Sequence, residues 1–401
     1  MKIGIIGDTH FGAAYNIGKT DADTQLNSRL IDFSATFDKI VDSFISEGVG
    51  VLVLTGDIFE TRHPTSAQLN TFSKCVKRAA ALGLEVIVVV GNHDQQRNIN
   101  TTTVDIFNHL ETPGISVFPN IGLKTLKDEH GKEYHLILMP YRDRRMLNAA
   151  TNSEAITALK VELADLIKNR VGTKILVGHL MLEKTSEAEN PDSFSINELV
   201  LPFNIFQGFD AVLMGHVHKH EVMSEKSPVI IYTGSMEKVS FGEKDHKKVT
   251  IILDTNKIED FKVINTETRP LYEMNFDYSG LDKLFKDGIS DKINEDIDEF
   301  DKKHSIKDAI VRLIVKVKDS DLYHVNHQKI RDHILSKKVN NLIPMQITSI
   351  IFRQLRNSNI TEDTDSKKAM TTYINSLSEP DNIKKKLQKY ADQIIDDSKG
   401  K

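Results

Sequence analysis

Five short segments of this 401-residue chain carry side chains of the kind that hold metal ions. They are Asp8-Thr9-His10, Gly56-Asp57, Gly91-Asn92-His93-Asp94, Gly178-His179 and Gly215-His216-Val217-His218. Asp8 and His10, two apart, can face one point from an extended loop, and so can His216 and His218. Imidazole nitrogens mixed with carboxylate and amide oxygens favour manganese, iron, zinc or cobalt over calcium or magnesium. The inventory suits two divalent ions that activate a water between them, an arrangement that needs a bridging carboxylate. With Asp8 and Asp57 as the only anionic ligands, the formal charge is +4 − 2 = +2 before hydroxide binds, which suits a phosphate ester. A single histidine in a loop is ordinarily a solvated or capping residue; five such loops in one domain are not ordinary.

Each of these segments follows an apolar run, at residues 3–6, 51–54, 86–90, 175–177 and 211–214. Helical patterns lie between them at 25–46 and 66–82. This reads as buried strands feeding functional loops in a layered α/β domain, with ligands gathering outside the carboxyl ends of the strands. A hairpin is expected over 123–140, turning at 129–132, and further strands at 229–233, 248–253 and 259–264. Near residues 268–270 the character changes. An acidic helix at 291–301, a strand at 309–317 and a helix at 326–335 make a small α+β domain. Beyond Pro344 the pattern reads as helical, with a polar linker at 357–368 and an amphipathic helix at 381–395. The expected division is therefore 1–267, 268–344 and 345–401.

Composition narrows the classes. Hydrophobic residues are 39% and charged residues 27%, an ordinary globular balance. One cysteine excludes a disulfide framework and any cysteine-rich zinc or iron–sulfur site. No run approaches the roughly 20 apolar residues of a membrane span, and no signal peptide is expected before Asp8. The cytoplasm is the expected compartment. A net charge of −5 excludes a globally basic nucleic-acid binder, though not a local or metal-centred one.

In their spaced order the five segments resemble the calcineurin-like metallophosphoesterase superfamily. The resemblance implies a double β-sandwich flanked by helices. It implies one ion held by Asp8, His10, Asp57 and His218, and a second by Asp57, Asn92, His179 and His216, with Asp57 bridging. It further implies that His93 meets the phosphate and that Asp94 orients His93. The segment from Tyr232 through Ser235 to Phe241-Gly242-Glu243, and Asp57-Ile58-Phe59-Glu60 with Pro64-Thr65-Ser66, resemble the SbcD branch, the meiotic recombination eleven nucleases. That narrower resemblance implies a manganese-dependent DNA exonuclease and endonuclease. Its partner would be an SMC-like coiled-coil ABC-type ATPase of the SbcC type, in DNA repair and recombination. Glu60 departs from many archaeal and eukaryotic members, which carry a histidine there; the departure bears on the balance of exonuclease and endonuclease action.

Lys19, Arg62, Arg97 and Lys184 lie on loops that could border the site and touch DNA phosphates without reading sequence. Leu69, Phe72, Val76 and Ala79 lie along one helix face, and Val104, Phe107 and Leu110 follow later. Both sets suit core packing as well as a subunit contact. The resemblance implies that such helices pair across a two-fold axis as a four-helix bundle, so a homodimer is expected. Ile383, Leu387, Tyr390 and Ile394 form an apolar stripe on the last helix, which either packs back on this chain's own domains or docks on the ATPase; docking by residues 345–401 is the expectation. Two other readings use the same loops: a phosphomonoesterase or cyclic-nucleotide phosphodiesterase, and a non-catalytic DNA-binding scaffold. The Phe241–Glu243 segment and the added C-terminal region weigh against the first, the intact ligand set against the second.

Overall fold

A computed structural model of the chain describes residues 1–96, 101–186, 188, 198–280, 288–350, 365–377 and 379–399. In chain order its first elements are β1 (Lys2–Ile6), α1 (Ser28–Ser46), β2 (Val51–Leu54), α2 (Ser66–Ala81), β3 (Glu85–Val89), α3 (Ile106–His109) and β4 (Ile115–Phe118). There follow β5 (Gly122–Lys127), β6 (Glu133–Met139), α4 (Asn152–Ile167), β7 (Thr173–His179), β8 (Met181–Leu182), β9 (Val200–Leu201) and β10 (Ala211–Gly215). β11 (Glu221–Ser224), β12 (Val229–Tyr232), β13 (Val249–Asp254) and β14 (Lys262–Asn265) complete this part.

Two six-stranded sheets result, in the orders β14-β13-β1-β2-β3-β4 and β11-β12-β10-β7-β6-β5. β1 to β4 run parallel, as do β6, β7, β10 and β12. Parallel strands collect their carboxyl ends on one edge, so the loops that follow them meet there. Side chains alternate across each strand. Ile3, Ile5, Val53 and Val89 of the first sheet pack against Leu136, Val177, Leu213 and Ile231 of the second. On the outer face, Ile6, Leu52 and Val88 lie under Phe33, Phe37, Phe72 and Val76 of α1 and α2. Ile137, Leu176 and Val212 lie under Ala155, Leu159 and Leu163 of α4. The layers are therefore helix, sheet, sheet, helix, the double β-sandwich flanked by helices that the family resemblance implies. Each such buried large apolar side chain contributes roughly 1.5–3 kcal/mol. Gly4 admits α1: a Cβ there would lie 2.4 Å from the Phe44 ring. α2 starts at a capping box, with Thr65 Oγ1 accepting from Gln68 N and Gln68 Oε1 from Thr65 N.

The chain divides into two compact units. The first is Met1–Met274 with Ile297–Leu313 and Arg331–Met345; the second is Asn275–Asp296, Ile314–Ile330 and Gln346–Lys401. The remaining elements are β15 (Leu271–Asp277), α5 (Ile289–His304), β16 (Ile310–Lys318), α6 (Asp319–Leu322), α7 (His327–Ser336), β17 (Asn341–Leu342), β18 (Gln346–Ile350), α8 (Ser366–Ser376) and α9 (Asp381–Lys399). Within the first unit, buried Arg29 of α1 donates to Asp32, which also receives Arg269 Nε at 2.8 Å. Within the second, residues 314–318 of β16 pair in parallel with β18, and α8 packs on α9.

Two expectations need correction. The stretch just after Pro344, read as helical, opens with β18: Gln346–Ile350 carries β-branched residues, and pairing with β16 decides its state. The face of α2 read as a subunit contact belongs to the core, since Phe72, Val76 and Ala79 are buried, as are Val104 and Phe107. Leu110 alone of that set is well exposed, at 69%. The expected linker at 357–368 lies mostly outside the described residues, and α8 begins at its end.

Candidate metal centre

The strand ends deliver the predicted residues to one place. Asp8 and His10 follow β1, Asp57 follows β2, Asn92 and His93 follow β3, His179 ends β7, and His216 and His218 follow β10. Both sheets contribute. The backbone is forced to do this: φ is +24° at Asp8, +42° at His10, +46° at Asp57 and +93° at His216. Such left-handed conformations cost non-glycine residues roughly 1–3 kcal/mol each and persist only where surroundings over-determine them. Here His10 N donates to Asp57 O at 2.9 Å and His216 N to Asp8 Oδ1 at 2.9 Å. Gly91 is required by proximity, because a Cβ there would lie 2.1 Å from Asp57 Oδ1.

Ligand-type atoms form two adjoining sets, Asp8–His10–Asp57 and Asp57–His179–His216, the atoms of each lying within 4.8 Å of one another. Asp57 belongs to both. Its Oδ2 lies 3.7 Å from His10 Nε2 and 3.3 Å from His179 Nε2. His218 joins the first set, its Nε2 2.9 Å from His10 Nε2. Asn92 joins the second, its Oδ1 3.0 Å from His179 Nε2 and 3.1 Å from His216 Nδ1. Asp8 Oδ2 is buried with no hydrogen-bond partner among the described residues. Facing ring nitrogens and an unpartnered carboxylate oxygen are costly in a dry interior unless a cation takes their lone pairs. The residues fit two cations.

The histidines are also turned the right way. His179 Nδ1 lies 2.8 Å from Thr55 O, His218 Nδ1 lies 2.9 Å from Glu243 Oε1, and His216 Nε2 bonds Glu198 Oε1. His10 Nδ1 stands 3.0 Å from Glu60 Oε2. In His179, His216 and His218 one nitrogen meets an outer oxygen, leaving the other to face inward, whereas the His10–Glu60 approach lacks hydrogen-bond geometry. Glu198 and Glu243 were missed as site residues by sequence reasoning. Glu243 sits in the Phe241–Glu243 segment that carries the narrower resemblance; nothing around Glu198 in the sequence points to it.

His93 is 38% exposed at its side chain, within reach of a substrate. Its ring Nδ1 lies 2.6 Å from Glu60 O, and its backbone N donates to Asp57 Oδ1 at 2.8 Å. Its Nε2 stands 4.0 Å from Asp57 Oδ2, on the side of the shared carboxylate. The partner expected in Asp94 is thus the Glu60 carbonyl. Asp94 instead accepts from the backbone of Gly91, Ile58 and Phe59, pinning the loop after β3 to the loop after β2.

Of the basic residues, Lys19 and Lys184 are exposed, the latter with its Nζ 5.5 Å above the Phe203 ring. Arg62 is half-buried and donates from Nε to Gln95 O at 2.7 Å, so it braces the loop after β3. Arg97 lies outside the described residues.

Electrostatics follow from the crowding. Burial opposes a charged His179 ring, yet the charge and bond of Asp57, with Asp8, outweigh it and raise the ring to about 9. His218 is raised to about 9 likewise, burial being overcome by Glu243 and Asp8. Burial pushes Asp57 up, but His179 and His10 hold it well below the usual carboxylate range. In the ion-free protein the two raised histidines add stability that is fully present below about 6.5 and lost as pH rises through about 9. Protons and cations compete for the same nitrogens. Affinity for manganese is therefore expected to climb from pH 7 to a plateau above about 9, by roughly 100-fold for each displaced proton. Calorimetry in buffers of different ionisation enthalpy checks this; an affinity flat across that range would contradict it.

Residues 1–220 match the family model described as calcineurin-like phosphoesterase. The chain is 25% identical over 288 residues to the SbcD component of nuclease SbcCD from Staphylococcus epidermidis, covering 68% of this chain and 70% of that one. It is 26% identical over 265 residues to the protein of the same name from Staphylococcus saprophyticus, covering 62% of this chain and 64% of that one. It is 23% identical over 312 residues to the DNA double-strand break repair protein Mre11 of Haloferax volcanii, covering 76% and 59%. The chain thus spans about two thirds of the length of such relatives.

Proposed function

The chain belongs to the calcineurin-like phosphoesterase family, and on that premise we propose that it is the nuclease subunit of an SbcCD-type complex, hydrolysing DNA phosphodiesters with two divalent ions, manganese foremost. The observation that carries this reading is the pair of ligand sets that share Asp57. The similarity to two proteins named as the SbcD component of nuclease SbcCD, and to one named as a DNA double-strand break repair protein, supports DNA as the substrate class.

In this reading Asp8, His10, Asp57 and His218 hold one ion, and Asp57, Asn92, His179 and His216 the other. Bound there, the ions would neutralise phosphoryl charge and lower the pKa of a bound water. The chain's own part is geometric and protonic. Asp57 spans both sets. The Glu60 carbonyl fixes the His93 ring, whose Nε2 then faces the phosphate and protonates the leaving oxygen. Asp94 keeps the two loops in register. The exposed Lys19 and Lys184 contribute salt-sensitive phosphate contacts.

The direct experiment is cleavage of linear duplex DNA by the purified chain with manganese, beside a chelated control and a phosphomonoester substrate. Manganese-dependent strand cleavage is expected. Phosphomonoester hydrolysis without DNA cleavage would overturn the reading.

Among the described residues no helix is long and apolar enough to cross a membrane, and the reading places the enzyme in the cytoplasm. Ile383, Leu387, Tyr390 and Ile394 of α9 are 41%, 39%, 64% and 68% exposed. This open stripe, borne on the α8–α9 pair, supports docking on the coiled-coil base of an SMC-like ATPase. Ending the chain after Lys368 is expected to abolish co-purification with that ATPase. Manganese-dependent cleavage survives, because every proposed ligand precedes residue 220. Wild-type binding by the shortened chain would sink the docking assignment. The homodimer in this reading rests on exposed Ile106 and Leu110, at 51% and 69%, rather than on the buried face of α2. Light scattering at micromolar protein is expected to give twice the chain mass; a monomer mass counts against it.

A further inference from the structure

A buried lysine grips one of the proposed ligands at both ends. Lys248 is 3% exposed, yet its ammonium donates to three acceptors. They are Glu243 Oε2 at 2.6 Å, Ser235 Oγ at 2.6 Å and the backbone oxygen of His218 at 3.0 Å. An ammonium has three protons, so this one is fully satisfied. Glu243 uses its other oxygen on His218 Nδ1. Lys248 therefore holds the His218 backbone directly and the His218 ring through Glu243. The ring's Nε2 is left facing His10 Nε2 at 2.9 Å.

The carboxylate in this relay comes from a short turn, Phe241–Glu243. Phe241 is buried beside Ile17, Leu271 and Ile310, and the Arg312 guanidinium lies over its ring at 4.1 Å. Arg312 Nη1 in turn donates to Glu273 Oε2 at 3.1 Å. A stacked guanidinium of this kind is held by the ring's electron-rich face. So the residue that orients His218 is presented by a turn whose other end is clamped from β16.

The relay ends on His218, a member of one ligand set. His179 is oriented by Thr55 O and His216 by Glu198, neither of which touches Lys248 or Glu243 in the contacts described above. We propose that Lys248 and Glu243 are positioning residues for His218 and set the affinity of the ion held by Asp8, His10, Asp57 and His218, leaving the neighbouring ion unaffected. Arg312 and Phe241 set the position of the turn, so this first ion is the one that responds to changes at β16. The inference rests on the two-ion reading above.

The test is a manganese titration of the full-length chain, followed by calorimetry, with the melting temperature of the metal-free protein measured alongside. Wild type is expected to bind two ions. Lys248→Met and Glu243→Gln are expected to weaken one step by about 10–100-fold, the usual cost of removing a group that orients a ligand. The step affected is the one that His218→Ala also weakens, and the other step is unchanged. Arg312→Ala acts on the turn from a half-buried position and shifts the same step in the same direction, which keeps the inference testable if the Lys248 variant fails to fold. A purely structural role would lower the melting temperature and weaken both steps alike, and that result overturns the proposal. Two unchanged steps in all three variants overturn it as well, while the two-ion reading stands. Absence of any manganese binding by wild type overturns that reading and the inference with it.

Discussion

Asp57→Ala is expected to bind neither manganese ion at micromolar concentrations and to cleave no DNA above background. Asp57 is the one carboxylate common to both ligand sets, with Oδ2 3.7 Å from His10 Nε2 and 3.3 Å from His179 Nε2. Without it two cations would face one another with only Asp8 to offset their charge. Its Oδ1 also accepts from His93 N at 2.8 Å, so the truncation frees the loop that aims His93. Asp57→Asn separates the effects: it keeps the shape and removes the charge. Both variants should lose the two-step titration, since the charge is what an ion pair with a shared ligand needs. Two ions per chain bound to Asp57→Ala at wild-type affinity would remove Asp57 from its assigned place.

His93→Ala is expected to behave in the opposite way, keeping both ions while losing about 100-fold or more in cleavage rate. The ring is anchored through Nδ1 on Glu60 O and is 38% exposed, so Nε2 can meet a substrate and no ligand set depends on it. The loss should fall mainly on kcat, because proton transfer to the leaving oxygen belongs to the transition state. It should also shrink for substrates with a better leaving group, which need no proton. Full activity of the purified variant would rule out the assignment.

Much of the site is written locally. Each of these ligands stands at or just past the end of an apolar run, so Asp8, Asp57, Asn92, His179 and His216 stand out against the run before them. A layered α/β domain is legible for the same reason, since the strand runs and the helical patterns alternate; that two sheets stack as a sandwich came from the family resemblance. What was not legible depends on who meets whom in space. Glu198 and Glu243 gain meaning only when the chain brings them behind His216 and His218. Lys248 looks like one of several surface lysines beside Lys247 until its three acceptors are known. The apolar face of α2 could not declare whether it covers its own sheet or a second subunit, because burial against either leaves the same spacing. The Gln346–Ile350 strand was decided by pairing with β16 rather than by its own sequence.

The convergence of both sheets on one edge carries a further consequence. His10 and His218 are 208 positions apart, and their ring nitrogens stand 2.9 Å from each other. An ion seated between them is a cross-link across more than half the chain, closing a loop far longer than most disulfides do. Unlike a disulfide it dissociates, so its grip depends on the free concentration of the metal through mass action. A chelator should then act on this fold as a reductant acts on a secreted protein, lowering the melting temperature as well as silencing the enzyme. In a cell short of the metal, the idle chain would then also be the less stable one.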